Sequence, residues 1–528
     1  MEEKLIIMDT TLRDGEQSAG VSFTAKEKIE IARQLERMGV DVIEAGFPHA
    51  SGGDMEAVKA VAREIRNSAV CALARAVKVD IDAAWEGVSK AASPRIHVFI
   101  NTSDIQMANQ LKKRREEVLE QAEAMVKYAA GFTKDVEFSP MDATRSDPQF
   151  LFEIVRRCID AGASTVNIPD SVGYAMPEEM EKLFQQIRMN IPNIHKTRLS
   201  VHAHNDLGLS TANALAAVRG GARQVEVTVN GIGERAGNTS LEEIVMAIDT
   251  RKSFFGLKTS INTREIYRTS KMVESFSGLS VQWNKAIVGK NAFRHSSGIH
   301  QDGILKMRQT WEIMDPEKLG IPLGTQLVMG KLSGRHAFKN KAAELGYELS
   351  ESDLDAAFDE FKELADNKST VDDRDIEAIL SERFDKVEDP YWTLDHVQVS
   401  AGDKAAATAT IRMIKKDGTT HQDAATGIGP VHAIYQAVNR ITGFAPRLNE
   451  FSIQGITEGL DAQGEVTIRI EDKNRTFLGH GAHVDILVAS ARAYINALNK
   501  LLDSETHETV SVKGGLKGGQ GDGTADNC

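Results

Sequence analysis

The segment VHAHND (201–206) is where residue type and spacing in this chain point most directly to chemistry. Residues two apart on a strand face the same way, so a strand here turns His202 and His204 to one side. Paired imidazoles suit a divalent first-row metal. Two further motifs end in oxygen donors: DTTLRDGEQ (9–17) contains Asp14, and GIGERAGN (231–238) closes on Asn238. Two imidazoles, a carboxylate and an amide oxygen make a four-ligand set that leaves two octahedral positions for a bidentate substrate or, in its absence, water. Mn²⁺ or Mg²⁺ suits the oxygens, and Zn²⁺ competes through the histidines. Arg13, beside Asp14, is a permanently charged fork for a carboxylate or a developing oxyanion. Glu137, within the run 136–138, is expected at the end of the fifth strand, and Ser171, just after the run 165–168, at the end of the sixth. Both are expected to project over the same site, one moving a proton and the other bonding a substrate carboxylate.

Positioning these residues falls to eight short apolar runs, at 4–8, 40–45, 69–73, 96–100, 136–138, 165–168, 199–203 and 224–229. Helix-period connectors such as 26–38 and 150–161 separate them. Parallel strands joined by right-handed crossovers follow. Over about 250 residues the economical closure is an α/β fold of the (β/α)₈ TIM-barrel type, with a doubly wound open sheet as the competitor. The barrel predicts polar residues just after each strand, and the strand ends read DTTLRDGEQ, EAGFP, NTSD, PDSVG, HAHND and NGIGERAGN. Residues 1–255 are therefore assigned to a TIM-barrel catalytic domain. GIGERAGN superficially matches a dinucleotide-binding fingerprint, but it closes the eighth unit instead of opening a βαβ unit, so it is taken as a tight turn around Asn238.

Residues 256–389 are assigned to helical linker and lid subdomains. The insert at 283–303, rich in Gly, Ser and His, is expected not to be a good helix interior. Helices are expected at 353–365 and 372–384, each opened by an Asp cap. Residues 390–502 hold a weak internal repeat, in which Thr410-Ile411-Arg412 aligns with Thr467-Ile468-Arg469 and Gly427-x-Gly429 with Gly479-x-Gly481. The repeat predicts a C-terminal α+β domain of pseudo-twofold symmetry, with its ligand site between the halves. Residues 503–528 are expected to be a disordered Gly-rich tail.

The chain has 528 residues, with 63 Lys and Arg against 76 Asp and Glu, a net charge of −13. That balance argues against nucleic acid as the main partner. No run is long and apolar enough for a membrane span, and the acidic opening segment, without a basic start and apolar core, is not expected to be a secretory signal. Three widely spaced cysteines, Cys71, Cys158 and Cys528, make neither a disulfide framework nor a metal knuckle, so a cytoplasmic location is expected.

DTTLRDGEQ, VHAHND, GIGERAGN and SSGIHQDG (296–303) occur together and in this order. In these motifs, and over residues 4 to 502, the chain resembles the α-isopropylmalate/homocitrate synthase family of metal-dependent acyl-CoA condensing barrels. The resemblance implies a Claisen condensation of acetyl-CoA with a 2-oxo acid, 2-oxoisovalerate before pyruvate, as the committed step towards leucine. It also implies metal ligation by Asp14, His202, His204 and Asn238, stabilisation of the oxyanion by Arg13, and Glu137 as a catalytic acid. His300 corresponds to a lid histidine supplied by the neighbouring subunit, and His97 to a position shaping the 2-oxo-acid pocket. A homodimer inhibited by leucine through residues 390–502 is implied as well. Two departures from the family pattern stand out: Ser171 where Thr is common, and Trp311 where Tyr is common. Citramalate synthase is the nearest alternative, and a non-catalytic amino-acid sensor with a vestigial barrel is the alternative of another class.

Overall fold

The computed structural model describes residues 3–345, 347, 349–368, 371–384, 390–455, 464–473 and 475–514. They form two compact units, divided after Val328.

The first unit is built on a closed barrel of eight parallel strands: β1 (Ile6–Asp9), β2 (Val42–Gly46), β3 (Ala69–Arg75), β4 (Pro94–Asn101), β5 (Val136–Met141), β6 (Thr165–Asp170), β7 (Arg198–Ala203) and β8 (Gln224–Val227). β8 pairs with β1, in register from Ile6 with Gln224 to Asp9 with Val227. This closure decides between the barrel and the open sheet. The connecting helices form for local reasons. Ala25–Met38 opens on a Thr24–Glu27 capping box and ends at Gly39, whose φ of 91° is open to glycine at little cost. Its apolar face (Ile31, Leu35, Met38) joins the outward residues of the strands, such as Val98, Phe138 and Val201, in one continuous buried core. Strand residues of the other parity face the axis. Many of these are polar (Arg95 and His97 on β4, Glu137 and Ser139 on β5, Gln224 and Glu226 on β8), and all are buried.

The expected break at residue 255 does not coincide with a division between compact units. Leu257–Lys258 pairs with Glu3–Lys4 at the barrel's foot, and the helix Ile266–Ser277 packs its Val273 into the barrel's core. The insert also differs from expectation, because Gly298–Lys306 is helical. The buried Gln301 amide donates to the carbonyls of His295 and Val328, which anchors a helix that Gly and Ser would otherwise disfavour.

In the second unit, helices span Glu351–Asn367 and Asp373–Phe384. The first is capped by Ser350, not by the expected Asp353, whose backbone N–H is the donor to the Ser350 hydroxyl. Two three-stranded antiparallel sheets follow, β9 (Trp392–Gly402), β10 (Ala405–Lys415) and β11 (Thr420–Gly427), then β12 (Arg447–Gly455), β13 (Gly464–Asp472) and β14 (Arg475–His483). Each precedes or flanks a helix, Pro430–Thr442 and Ile486–Gly514. The repeated Thr-Ile-Arg lies on the two central strands, β10 and β13. Gly479 and Gly481 lie where strand meets helix: a Cβ on either would come within about 2.2 Å of a helix carbonyl oxygen. The last helix runs through Gly514, so residues 503–514 are helical where a disordered tail was expected. SETHETVSVK contains no Gly or Pro to stop it. The rest of the predicted tail, 515–528, lies outside the described residues.

Candidate active site

The rim sector where β7, β8 and β1 meet gathers four of the sequence-predicted side chains. His202 lies within β7 and His204 just beyond it, and His204 forms a β-bridge with Asn238. The two Nε2 atoms are 3.1 Å apart, and Asp14 Oδ2 is 4.0 Å from His202 Nε2. The Asn238 amide nitrogen donates to Asp14 Oδ1 at 2.8 Å and to the carbonyl of Ile232. Its buried oxygen Oδ1 has no hydrogen-bond partner. An orphaned buried acceptor beside two converging imidazole nitrogens and a carboxylate fits a divalent cation, which accepts lone pairs and needs no donor proton.

Local sequence explains this convergence. At Gly233 a Cβ would stand 1.9 Å from the Asn238 side-chain nitrogen, and at Gly237 one would stand 2.0 Å from the carbonyl oxygen of Gly231. Only glycine lets the loop fold so tightly over the amide. Arg235 then ties this loop to its neighbours, reaching both oxygens of Asp206 at 2.7 and 2.9 Å and the carbonyl of Ser171 at 3.0 Å.

Electrostatics match a cation site. Burial pushes the Asp14 carboxyl up, but Arg13 and the two imidazoles outweigh it and hold the group below the usual carboxylate range. Burial and the adjacent His202 lower His204 to about 3, leaving it neutral. His202 is lowered by burial but raised on balance by Glu226, whose Oε2 accepts from Nδ1 at 2.7 Å. A carboxylate on the far nitrogen fixes the tautomer that offers Nε2 as a ligand.

Arg13 pairs with Asp14, and its Nε donates to Glu44 Oε2 at 2.6 Å. Glu44, fully buried, also accepts from the Thr10 hydroxyl at 2.6 Å and from His97 Nδ1 at 2.8 Å. His97 Nε2 meets the Ser139 hydroxyl at 2.7 Å, so both ring nitrogens are engaged and His97 serves as wall. Ser171 Oγ accepts from the Asp142 N–H at 2.9 Å, which leaves its own proton free to donate. Arg13, His97, Ser139 and Ser171 border a cavity of about 320 Å³ that Asp14, His202 and His204 also line. Its apolar wall includes Leu73, Phe99, Pro169 and Val172.

Two predicted residues lie elsewhere. β5 runs on to Met141, so Glu137 is its second residue and sits below the mouth instead of over it. There Arg95 donates to it at 2.8 Å and Gln224 at 2.7 Å, while Met141 takes the mouth position. The reason is length: the run was expected to stop at 138, because Ser139 and Pro140 disguise a buried strand. His300, on the helix Gly298–Lys306, does not line the cavity and stacks on Trp311 with ring centroids 3.8 Å apart. Conversely, Glu44 and Glu226 were missed. The available signal was a charged residue inside each of two apolar strands, VIEAG and QVEV.

A closed parallel barrel with a His/His/Asp group at its C-terminal rim defines a class of metal-dependent barrel enzymes, and residues 4–273 match the HMGL-like family. Residues 287–369 match the homocitrate synthase post-HMGL domain-like family, and residues 370–502 the LeuA allosteric (dimerisation) domain. A 2-isopropylmalate synthase of Gloeobacter violaceus is 54% identical, covering 97% of each chain. One from Carboxydothermus hydrogenoformans is 56% identical, over 95% of this chain and 98% of that one. The chain belongs to the 2-isopropylmalate synthase family, and it is an enzyme of the acyltransferase type. The family's metal dependence agrees with the donor set at the rim. Among the described residues no helix is long and apolar enough to cross a membrane.

Proposed function

We propose that this chain condenses acetyl-CoA with 2-oxoisovalerate and water, giving 2-isopropylmalate and CoA, the first committed step towards leucine. The observation that carries this reading is the orphaned Asn238 oxygen beside Asp14, His202 and His204, with Arg13 adjoining and an apolar wall across the cavity. These four side chains would hold the divalent ion, Mn²⁺ or Mg²⁺ by the oxygen donors and Zn²⁺ by the imidazoles. When bound, it supplies Lewis-acid polarisation of the 2-oxo group.

The chain's own residues do the rest. Arg13, braced by Glu44, presents its guanidinium to the oxygen that gains charge when the carbon–carbon bond forms. Ser171 donates its free proton to the substrate carboxylate. Leu73, Phe99, Pro169 and Val172 accept the isopropyl group and exclude water around it. The acetyl methyl proton needs a base that is not already committed. Glu137 is sealed by Arg95 and Gln224, His97 by Glu44 and Ser139, and Glu226 orients His202. On the family resemblance, and not by elimination, since Glu234 also lines the cavity, we assign the proton to His300, brought there by the lid of a second copy in a homodimer. Leucine is the inhibitor acting through the repeat domain, and the buried, unpaired Cys71 and Cys158 suit the cytoplasm.

The test is CoA-thiol release from acetyl-CoA with several 2-oxo acids and added Mn²⁺. Turnover best with 2-oxoisovalerate and inhibited by leucine is expected. Preference for pyruvate would replace the substrate by the citramalate alternative, and no release with any 2-oxo acid would discard the proposal.

A further inference from the structure

The face of the barrel opposite the metal ligands carries a cavity of about 730 Å³ that the condensation does not use. It is bordered by strand starts and helix ends: Arg198 opens β7, Arg223 precedes β8, and Glu3 lies in the short strand before β1. Arg188, in the last turn of the helix Pro177–Asn190, and His195, in the turn Ile194–Lys196, complete the cationic rim. Charge there runs against the rest of the molecule. In a chain of net −13, three guanidinium groups border one cavity against the single carboxylate of Glu3. Glu3 is committed to Arg223 at 2.6 Å. Among the described residues, neither Arg188 nor Arg198 has an ion-pair partner.

Arg188, His195 and Arg198 are exposed. The stem of Arg188 lies against Gly221, where a Cβ would be 2.4 Å from its Cδ, so that side chain is laid down over a position only glycine permits. The negative end of its helix accounts for a cation at Arg188. It does not account for Arg198 at a strand start.

We propose that this cavity binds a small molecule through a di- or polyphosphate group, held by Arg188 and Arg198. Guanidinium forks match phosphate oxygens bidentately. A concave site of this volume is the form that small ligands take, whereas nucleic acid needs an extended basic stripe. It is larger than one phosphate requires and leaves room for an attached nucleoside.

The experiment is titration calorimetry of the full chain with inorganic pyrophosphate, ADP and adenosine, alongside the double variant R188Q/R198Q. Chelation of the rim metal by pyrophosphate is the same in both proteins and cancels in the comparison. Saturable pyrophosphate binding is expected, weakened at least tenfold in the double variant and by added salt, while CoA release stays at the wild-type rate. ADP binding tighter than pyrophosphate identifies a nucleotide, and equal affinity identifies a free polyphosphate. Absence of saturable binding, unchanged affinity in R188Q/R198Q, or adenosine binding as well as ADP overturns the proposal.

Discussion

Replacing Glu44 by Gln tests whether the buried acid, and not the metal ligands alone, makes the site competent. Glu44 is fully buried and accepts three hydrogen bonds, from Arg13, Thr10 and His97. Burial raises its pKa, but Arg13 and His97 overcome this and leave it below the usual carboxylate range. The group therefore contributes stability that is present above its unfolded pKa and lost as pH falls through the depressed folded value. Removing one partner of a buried ion pair costs about 3–5 kcal/mol. Arg13 retains Asp14, so the lower end, about 3 kcal/mol, applies, together with a Tm drop of several degrees. Gln keeps the volume but offers Arg13 no charge and His97 a weaker acceptor, so both side chains lose their fixed positions. Misplacement of about 1 Å costs about 10²-fold in rate. CoA release should accordingly show kcat/KM for the 2-oxo acid falling by about 10²-fold, with Mn²⁺ affinity changed only a few-fold. The acid limb of the stability profile should flatten, measured by thermal melts across acidic pH. Wild-type kcat/KM together with an unchanged Tm would refute the reasoning that Glu44 positions Arg13 and His97.

His202→Ala should abolish metal-dependent turnover without unfolding the chain: circular dichroism stays near wild type while Tm falls to about that of the metal-free protein and no longer responds to Mn²⁺, since a ligand is lost and the buried Glu226 loses its partner. Glu226→Gln should weaken Mn²⁺ binding by about 10–100-fold, read by metal titration of activity, because the His202 tautomer is no longer held by a carboxylate. Chelation with EDTA should stop CoA release and lower Tm, and Mn²⁺ in hundredfold excess over its Kd should restore about 2.7 kcal/mol of stability. Gly237→Ala should impair metal binding more than global stability, because the added methyl meets the Gly231 carbonyl and pushes Asn238 from its place. Retained affinity in that variant would show that the loop adapts.

Some of this protein is written in local sequence. Alternation of apolar runs with helix-period connectors located eight strands to within a few residues. Period-two placement within VHAHND put two imidazoles on one side of a strand before any tertiary contact was known. The glycines of GIGERAGN announced a tight turn, and the Thr-Ile-Arg repeat announced two related sheets. Closure of the barrel was decided only in three dimensions, because it depends on β8 meeting β1 across more than 200 residues. So was the identity of the supporting acids. Glu44 and Glu226 lie far from Arg13 and His202 in sequence, and a carboxylate inside an apolar strand has meaning only once its partner is known. Glu137 shows the converse. Its type suggested chemistry, but strand length and parity set it beneath the mouth against Arg95, for local composition fixes which way a side chain alternates and not how deep along the barrel axis its residue comes to rest.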